Sequence, residues 1–189
     1  ERRNLALAAD AVTDGVFYLL APGTGDFYRS HDGGQQWTVQ SRMPASKEEF
    51  IHPSDVAGRH AVFVHAVPAR AGHVWVATAQ GGLFQSTDGG HIFTQVEGVR
   101  TIQGFAIGAP RDAKSYPAIY LFGSVGAERE VWMWRSDDAG VTWTKINDAA
   151  HRFGKTLLLA ADPSRYGRVF LATGGRGVIA GEPAGPITP

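Results

Sequence analysis

One ten-residue pattern occurs three times in the chain and limits the folds that the chain can adopt. The segments RSHDGGQQWT (29–38), QSTDGGHIFT (85–94) and RSDDAGVTWT (135–144) align without gaps as [RQ]-S-x-D-[GA]-G-x-x-[WF]-T. The copies start 56 and then 50 residues apart. Repeats of this length, each with room for several strands, are typical of a β-propeller or a related array. The sequence therefore predicts an all-β fold whose repeating blades are four-stranded antiparallel sheets.

The residue types in the pattern fit a hairpin turn between two strands. The serine ends one strand, and the aspartate accepts hydrogen bonds from exposed N–H groups of the turn. The glycine two positions after the aspartate supplies a positive φ, and the aromatic ring packs beneath the turn. We call these segments the Asp turns. Their predicted structural residues are Ser30, Asp32, Gly34 and Trp37, then Ser86, Asp88, Gly90 and Phe93, then Ser136, Asp138, Gly140 and Trp143.

The adjacent acids Asp137 and Asp138 raise the question of a catalytic or metal-binding pair. The other two copies carry His31 and Thr87 at the position of Asp137, so only Asp138 belongs to the repeated pattern. A Ca²⁺ loop needs alternating acids, a glycine and a distant glutamate, and this spacing does not provide them. We therefore predict that the acidic pair is part of the architecture.

Strand-like segments around the turns divide the chain into four blades. The predicted blades are approximately 1–42, 60–97, 101–147 and 154–183, followed by a tail, 184–189. The fourth blade has three strands, no Asp turn and no outer strand, so we predict that it is incomplete. Four such units do not close an ordinary ring, and we expect the chain to be part of a larger propeller.

Composition excludes several classes of function. Eighteen basic residues balance eighteen acidic residues, so no strong field favours nucleic acid or an anionic membrane. The chain has no Cys, which removes disulfides and thiolate chemistry, and no apolar run approaches a membrane span.

His60 and His65 lack the spacing of metal ligands. The segment GRGVIA (175–180) scores as a dinucleotide motif, but Pro183 and Pro186 prevent the helix that such a site needs. We predict no metal and no cofactor.

Longer segments resemble family 74 of the glycoside hydrolases, the xyloglucanases and endoglucanases. The resemblance rests on YPAIYLFG (116–123), on RSDDAGVTWTKINDAAHRFG (135–154), on DPSRYGRVFLATGGRGVIAGEP (162–183) and on GHVWVATAQGGLFQSTDGG (72–90). The repeated turn itself is similar to the Asp-box, or BNR repeat, of sialidases, sortilin-type receptors and this family.

The resemblance implies a secreted, extracellular enzyme of polysaccharide degradation. Family members have two seven-bladed propellers whose shared cleft holds a β-1,4-glucan. This chain would then be the C-terminal part of the second propeller, and its partners would be a xyloglucan or cellulose-like glucan, the rest of its own propeller and an N-terminal propeller. The family's catalytic aspartates lie early in each propeller and do not map to this chain, so no catalytic residue is predicted here.

Candidate substrate contacts lie on the loops opposite the Asp turns, where propellers usually bind ligands. Polar groups there can exchange hydrogen bonds with sugar hydroxyls. These candidates are Gln80, Arg129, Glu130, Asp148, His151 and Arg176. The competing interpretation makes each a solvated or turn-stabilising residue. His151 is singled out because NDAAHRFG (147–154) matches the family, although it could instead bond to its own loop.

Three tryptophans invite a sugar-stacking interpretation. Trp75, Trp132 and Trp134 each fall inside a predicted strand, however, so burial between blades is the favoured prediction.

The leading functional hypothesis is an inverting endo-β-1,4-glucanase, most specifically a xyloglucanase, with its catalytic aspartates outside this chain. The chain alone is then expected to be inactive. The alternative is a non-catalytic propeller that binds carbohydrate or protein, as sortilin-like receptors do. A sialidase would need an arginine cluster and a Tyr/Glu pair, and the sequence offers no such set.

Overall fold

The computed structural model describes residues 5–45, 62–78, 82–154 and 156–184. Within these ranges the regular structure is β-strand apart from a single 3₁₀ turn at Ala149–His151. Gly and aromatic residues at the repeated turns break the chain into short extended segments, as the pattern predicts. The prediction of an all-β fold made of antiparallel sheets is confirmed.

The strands form four sheets in the described part of the chain, and in each sheet they lie in chain order, each beside the next. The registers are antiparallel. Sheet 1 contains β1 (Ala6–Ala9), β2 (Phe17–Ala21), β3 (Asp26–Ser30) and β4 (Thr38–Arg42). Sheet 2 contains β5 (Val62–Ala66), β6 (Val74–Thr78), β7 (Leu83–Ser86) and β8 (Thr94–Gln95). Sheet 3 contains β9 (Val99–Pro110), β10 (Pro117–Val125), β11 (Trp132–Ser136) and β12 (Thr144–Lys145). Sheet 4 contains β13 (Thr156–Ala161), β14 (Val169–Thr173) and β15 (Val178–Gly181).

The chain divides into two compact units, Glu1–Thr101 and Ile102–Pro189. In the first unit, sheets 1 and 2 share one hydrophobic core. Tyr18, Leu20 and Phe27 from sheet 1 pack with Val76 and Phe84 from sheet 2. Tyr18 and Leu20 alternate with less buried neighbours along β2, which is the period expected of a strand with one face in the core.

The second unit has its own core between sheets 3 and 4. Tyr120, Phe122 and Met133 from sheet 3 pack with Leu159 and Leu171 from sheet 4. Strand β10 is buried at every residue, because both of its faces are covered. Full burial of one large apolar side chain contributes about 1.5–3 kcal/mol, so these few contacts carry much of the stability of the unit.

The three tryptophans that invited a stacking interpretation are all buried, as predicted. Trp75 is completely inaccessible, and the indole Nε1 of Trp134 donates to the Gly123 carbonyl at 3.1 Å. Their aromatic faces are therefore occupied by protein rather than presented to a ligand.

Within the described ranges, no helix is both long and apolar enough to cross a membrane. No cluster of three or more His, Asp or Glu side chains with the geometry of a metal site occurs in the same part of the chain.

Gly90 provides a test of the packing between sheets 1 and 2. Gly90 and Gly34 both have a positive φ, at 93° and 90°. A Cβ at Gly90 would clash with the Phe27 ring, whereas a Cβ at Gly34 would make an ordinary contact with Trp37 at 3.6 Å. We expect Gly34→Ala to cost about 1–2 kcal/mol from backbone strain alone. Gly90→Ala should cost about 1–3 kcal/mol more because of the clash.

The measurement is the free energy of unfolding in denaturant, with Gly34→Ala as the matched control. Equal losses for the two variants would show that Phe27 moves away freely and that the two sheets are not closely packed at this point.

Candidate functional site

The third Asp turn shows what the adjacent acids do. Asp138 Oδ1 accepts from the Ser136 hydroxyl at 2.8 Å and from the Thr142 backbone N–H at 2.9 Å, and Oδ2 accepts from the Thr142 hydroxyl at 2.6 Å. Burial acts to raise the pKa of Asp138, but the hydrogen bonds from Thr142 and Ser136 outweigh it and hold the pKa below its usual value. A carboxylate kept ionised by its own turn is suited to bracing the hairpin.

Asp137 is also engaged, although it lies outside the repeated pattern. Its Oδ2 accepts from the Tyr166 hydroxyl at 2.9 Å and from Arg135 Nε at 3.2 Å. The Arg135 guanidinium in turn lies 5.0 Å from the centre of the Tyr166 ring. Asp137 therefore connects sheet 3 to the β13–β14 turn of sheet 4, and the two acids face different partners.

The serine of each turn stabilises the turn through its hydroxyl group, a role that the sequence did not indicate. Ser136 Oγ donates to Asp138 and accepts from the Gly140 N–H at 2.8 Å. Ser30 and Ser86 make the same pair of bonds in their turns, and all three serines are buried. The available signal was a small hydroxyl residue two positions before the aspartate in every copy.

A second left-handed residue directly precedes the glycine that all three turns share. Gly33 and Gly89 have φ of 75°, and Ala139 has φ of 57°. Consecutive positive φ values suit the tight connection of a twisted hairpin. From the sequence only one positive φ per turn was predicted, because Ala139 takes the place of the first glycine in the third copy.

The loops at the other edge of sheet 3 border an open cleft of about 420 Å³. Strands β10 and β12 both run antiparallel to β11. Their C-terminal ends therefore meet at the edge opposite the Asp turn, and the β10–β11 and β12–β13 connections lie side by side there. The described residues that line the cleft are Phe122, Arg129, Glu130, Val131, Asn147, Arg152, Phe153 and Gly154.

Two cationic side chains, Arg152 and Lys145, pair with acids of the β10–β11 connection beside the cleft. Arg152 Nη2 lies 2.9 Å from Glu130 Oε2, and the Arg152 guanidinium lies 4.7 Å from the centre of the Trp132 ring. Lys145 Nζ lies 4.3 Å from the same ring centre and 3.6 Å from Glu128. Trp132 is buried, and its Nε1 has no hydrogen-bond partner among the described residues.

Asn147 fixes the longer loop to sheet 3. Its Oδ1 accepts from the Met133 N–H at 2.8 Å, and its Nδ2 donates to the His151 carbonyl at 3.0 Å. Phe153 packs on the core of the second unit. The loop is thus held at both ends, which gives the cleft a defined wall.

The structure brings together only some of the substrate contacts predicted from sequence. Arg129 and Glu130 line the cleft. Asp148 and His151 do not line it: Asp148 Oδ1 accepts from the Ala150 and His151 N–H groups and lies 2.7 Å from His151 Nδ1. Hydrogen bonds to His151 and Ala150 lower the pKa of Asp148. This arrangement supports the alternative in which His151 stabilises its own loop.

The structure does not place the remaining two candidates, Arg176 and Gln80, at the cleft. The backbone N–H of Arg176 donates to Thr173 Oγ1 at 2.9 Å in the exposed β14–β15 turn, and Arg176 is not among the residues that line the cleft. Gln80 lies outside the described residues. Sequence reasoning missed Arg152 and Phe153, although both belong to NDAAHRFG (147–154), the segment that singled out His151.

Comparison with known proteins shows which enzymes this chain resembles. A xyloglucanase from Acetivibrio thermocellus is 38% identical over 94% of this chain, which spans 19% of that protein. An oligoxyloglucan-reducing end-specific xyloglucanase from Emericella nidulans is 31% identical over 92% of the chain, which spans 20% of it. The crystal structure of the family 74 xyloglucanase from Xanthomonas campestris matches 95% of the chain with a TM-score of 0.79 and 31% identity, and the chain covers 24% of it. No family model matches the chain.

The sheets and these matches define the chain first as an all-β protein made of β-propeller blades. More particularly, the chain is homologous to a segment of the xyloglucanases of glycoside hydrolase family 74. It spans about one fifth of the length of the curated relatives that it matches.

Replacing Asp138 by Asn tests the role of the turn carboxylate. The loss of charge-assisted acceptors should lower the free energy of unfolding at pH 7 by about 1 kcal/mol. The pKa of Asp138 is lowered in the folded chain, so its contribution to stability is present above the unfolded pKa of about 3.9 and is lost as the pH falls through the folded pKa. The difference between the native sequence and Asp138→Asn should therefore shrink on acidification.

Denaturant unfolding from pH 7 to pH 2 measures this difference, with the exposed Asp14→Asn as the control. A constant difference at all pH values would contradict a role for the ionised carboxylate.

Proposed function

We propose that this chain forms one wall of the glucan-binding cleft of a secreted endo-β-1,4-glucanase that hydrolyses xyloglucan. The observation that carries the proposal is similarity to xyloglucanases over nearly the whole chain, at 38% identity in the Acetivibrio protein. The cleft at the loop edge of sheet 3 supports it, because propellers usually bind ligands at this edge and because NDAAHRFG (147–154), which resembles the family, supplies part of the cleft.

In this proposal the chain supplies binding and positioning rather than acid–base chemistry. An inverting glycoside hydrolase uses one carboxylic acid to protonate the leaving oxygen and one carboxylate to activate water, about 6.5–9.5 Å apart. Glu130 is the one carboxylate among the described residues that line the cleft, and it pairs with Arg152 at 2.9 Å. The two catalytic aspartates then lie in parts of the enzyme outside this chain.

The residues predicted from sequence to contact the substrate have two different roles in this proposal. Arg129 and Glu130 are proposed to face the glucan from the β10–β11 loop. Asp148 and His151 are proposed to hold the neighbouring loop in shape, since they bond to each other and to the 3₁₀ turn.

The proposed partners are further blades of the same seven-bladed propeller and a second propeller that completes the cleft. Exposed apolar residues on the sheet faces that point away from the two cores support the presence of further blades. On sheet 1, Leu7, Leu19, Tyr28 and Val39 are register partners in a row across the four strands, and Leu7 and Val39 are each 57% exposed. Large exposed apolar patches usually mark an interaction surface. We propose that a neighbouring blade covers this row.

Sheet 4 presents a similar face in the other unit. Leu158 pairs with Ala172, and Ala172 pairs with Val178, so these apolar side chains share one side of the sheet. Leu158 is 58% exposed and Val178 is 70% exposed. A further blade packed here would bury them as the core buries Leu159 and Leu171 on the opposite side.

The test compares this chain with a longer protein that contains it. We expect the longer protein to release reducing ends from xyloglucan, and this chain alone to release none above a blank, because both carboxyls of the catalytic pair must face the same sugar. Carboxymethyl cellulose serves as the unbranched comparison substrate.

Two results would contradict the proposal in different ways. Hydrolysis by this chain alone would place the catalytic pair within it. Failure of the longer, folded protein on both substrates would favour the alternative of a non-catalytic propeller.

A further inference from the structure

The Arg152 guanidinium is held on two sides at the wall of the cleft. Glu130 pairs with it at 2.9 Å, and the Trp132 ring centre lies 4.7 Å from its central carbon. The side chain is nevertheless 46% exposed, so it is fixed in place and open to solvent at the same time. A long side chain that is already ordered loses less conformational freedom when a ligand binds.

Most hydrogen-bond donors of this guanidinium are free for a ligand. A guanidinium carries five N–H donors in a planar fork. Within the described part of the chain, Arg152 has one ion-pair partner, Glu130, and the cation–π contact with Trp132 uses no N–H group. Arg152 itself is among the residues that line the cleft.

The groups around Arg152 fit a neutral, hydroxyl-rich ligand. Glu130 offsets the charge of Arg152 and has a second carboxylate oxygen that can accept from a hydroxyl. Phe122, Val131 and Phe153 supply apolar surface in the same cleft. A sugar ring is both polar and apolar, with hydroxyls at its edge and C–H groups on its face. Sites with a few fixed polar groups in an apolar lining bind such ligands.

We propose that Arg152 is the main sugar-binding side chain of this chain, that it donates through its planar fork to hydroxyls of a β-1,4-glucan, and that Glu130 and Trp132 position it. The inference rests on the proposed function, because it assumes that the cleft faces a glucan. It differs from the prediction made from sequence, which favoured His151 in the same loop.

Replacing Arg152 by Lys separates binding from structure. Lysine keeps the positive charge that Glu130 and Trp132 contact, but it lacks the planar fork of donors. We expect Arg152→Lys to raise the dissociation constant for a xyloglucan oligosaccharide and for cellotetraose at least fivefold, with the thermal unfolding midpoint nearly unchanged. Titration calorimetry on the whole chain measures the affinity. Arg111→Lys, at an exposed turn on the Asp-turn edge of sheet 3, is the matched control and should bind like the native sequence.

Glu130→Gln provides a second variant in case Arg152→Lys fails to fold. It leaves Arg152 in place but weakens the contact that holds it, so we expect a smaller loss of affinity for the same two oligosaccharides. Unchanged affinity in this variant would overturn the positioning role of Glu130.

The outcomes distinguish this inference from the proposed function. If the native chain binds and folded Arg152→Lys binds equally well, Arg152 is not the sugar contact, and the proposed function stands. If the native, folded chain binds neither oligosaccharide, this wall of the cleft does not hold a glucan by itself and the inference about Arg152 fails, whereas hydrolysis of xyloglucan by the longer protein would still support the proposed function.

Discussion

The arrangement of the chain depends on one hydrogen-bonded group, the serine and aspartate of the Asp turn. In each copy the serine hydroxyl donates to the aspartate and accepts from the N–H of the glycine two positions after that aspartate, while the aspartate accepts from a backbone N–H further along the turn. Because the serine is buried, these bonds are shielded from water and carry more weight than exposed ones. Each turn therefore fixes one edge of its blade, and the loops at the opposite edge are not constrained by it.

The fixed edge also joins neighbouring sheets within each unit. In the first unit, Ser41 donates to the Gly90 carbonyl at 2.5 Å, and Asp10 Oδ2 accepts both from the Gly72 N–H at 3.0 Å and from the Tyr18 hydroxyl at 2.6 Å. Burial acts to raise the pKa of Asp10, but its hydrogen bonds prevail and lower the pKa to about 2. In the second unit the Tyr120 hydroxyl accepts from the Gly167 N–H at 3.0 Å. A glycine N–H in a turn of the later sheet thus bonds to the earlier sheet in both units.

The sequence predicted the periodic features well and the cleft only in part. The turn spacing and the alternation of buried and exposed residues in β2 follow from a backbone geometry that repeats along the chain. The strands could therefore be predicted from the sequence. The pairing of Arg152 with Glu130 and Trp132 does not repeat, because it depends on two loops that meet only at the free edge of sheet 3. His151 drew attention by its motif, yet the 3₁₀ turn directs it towards Asp148.

We propose that the serine and aspartate of an Asp turn act as one unit that supports the fold and takes no part in ligand binding. A double-mutant cycle with Ser136→Ala, Asp138→Ala and both together tests it through the free energy of unfolding. Groups in one hydrogen-bond network are expected to show a coupling energy of about 0.5–3 kcal/mol, so the double variant should be less destabilised than the two single losses combined. Affinity for a xyloglucan oligosaccharide should stay unchanged in every variant that folds. Additive losses, or a loss of affinity without a loss of stability, would contradict the account.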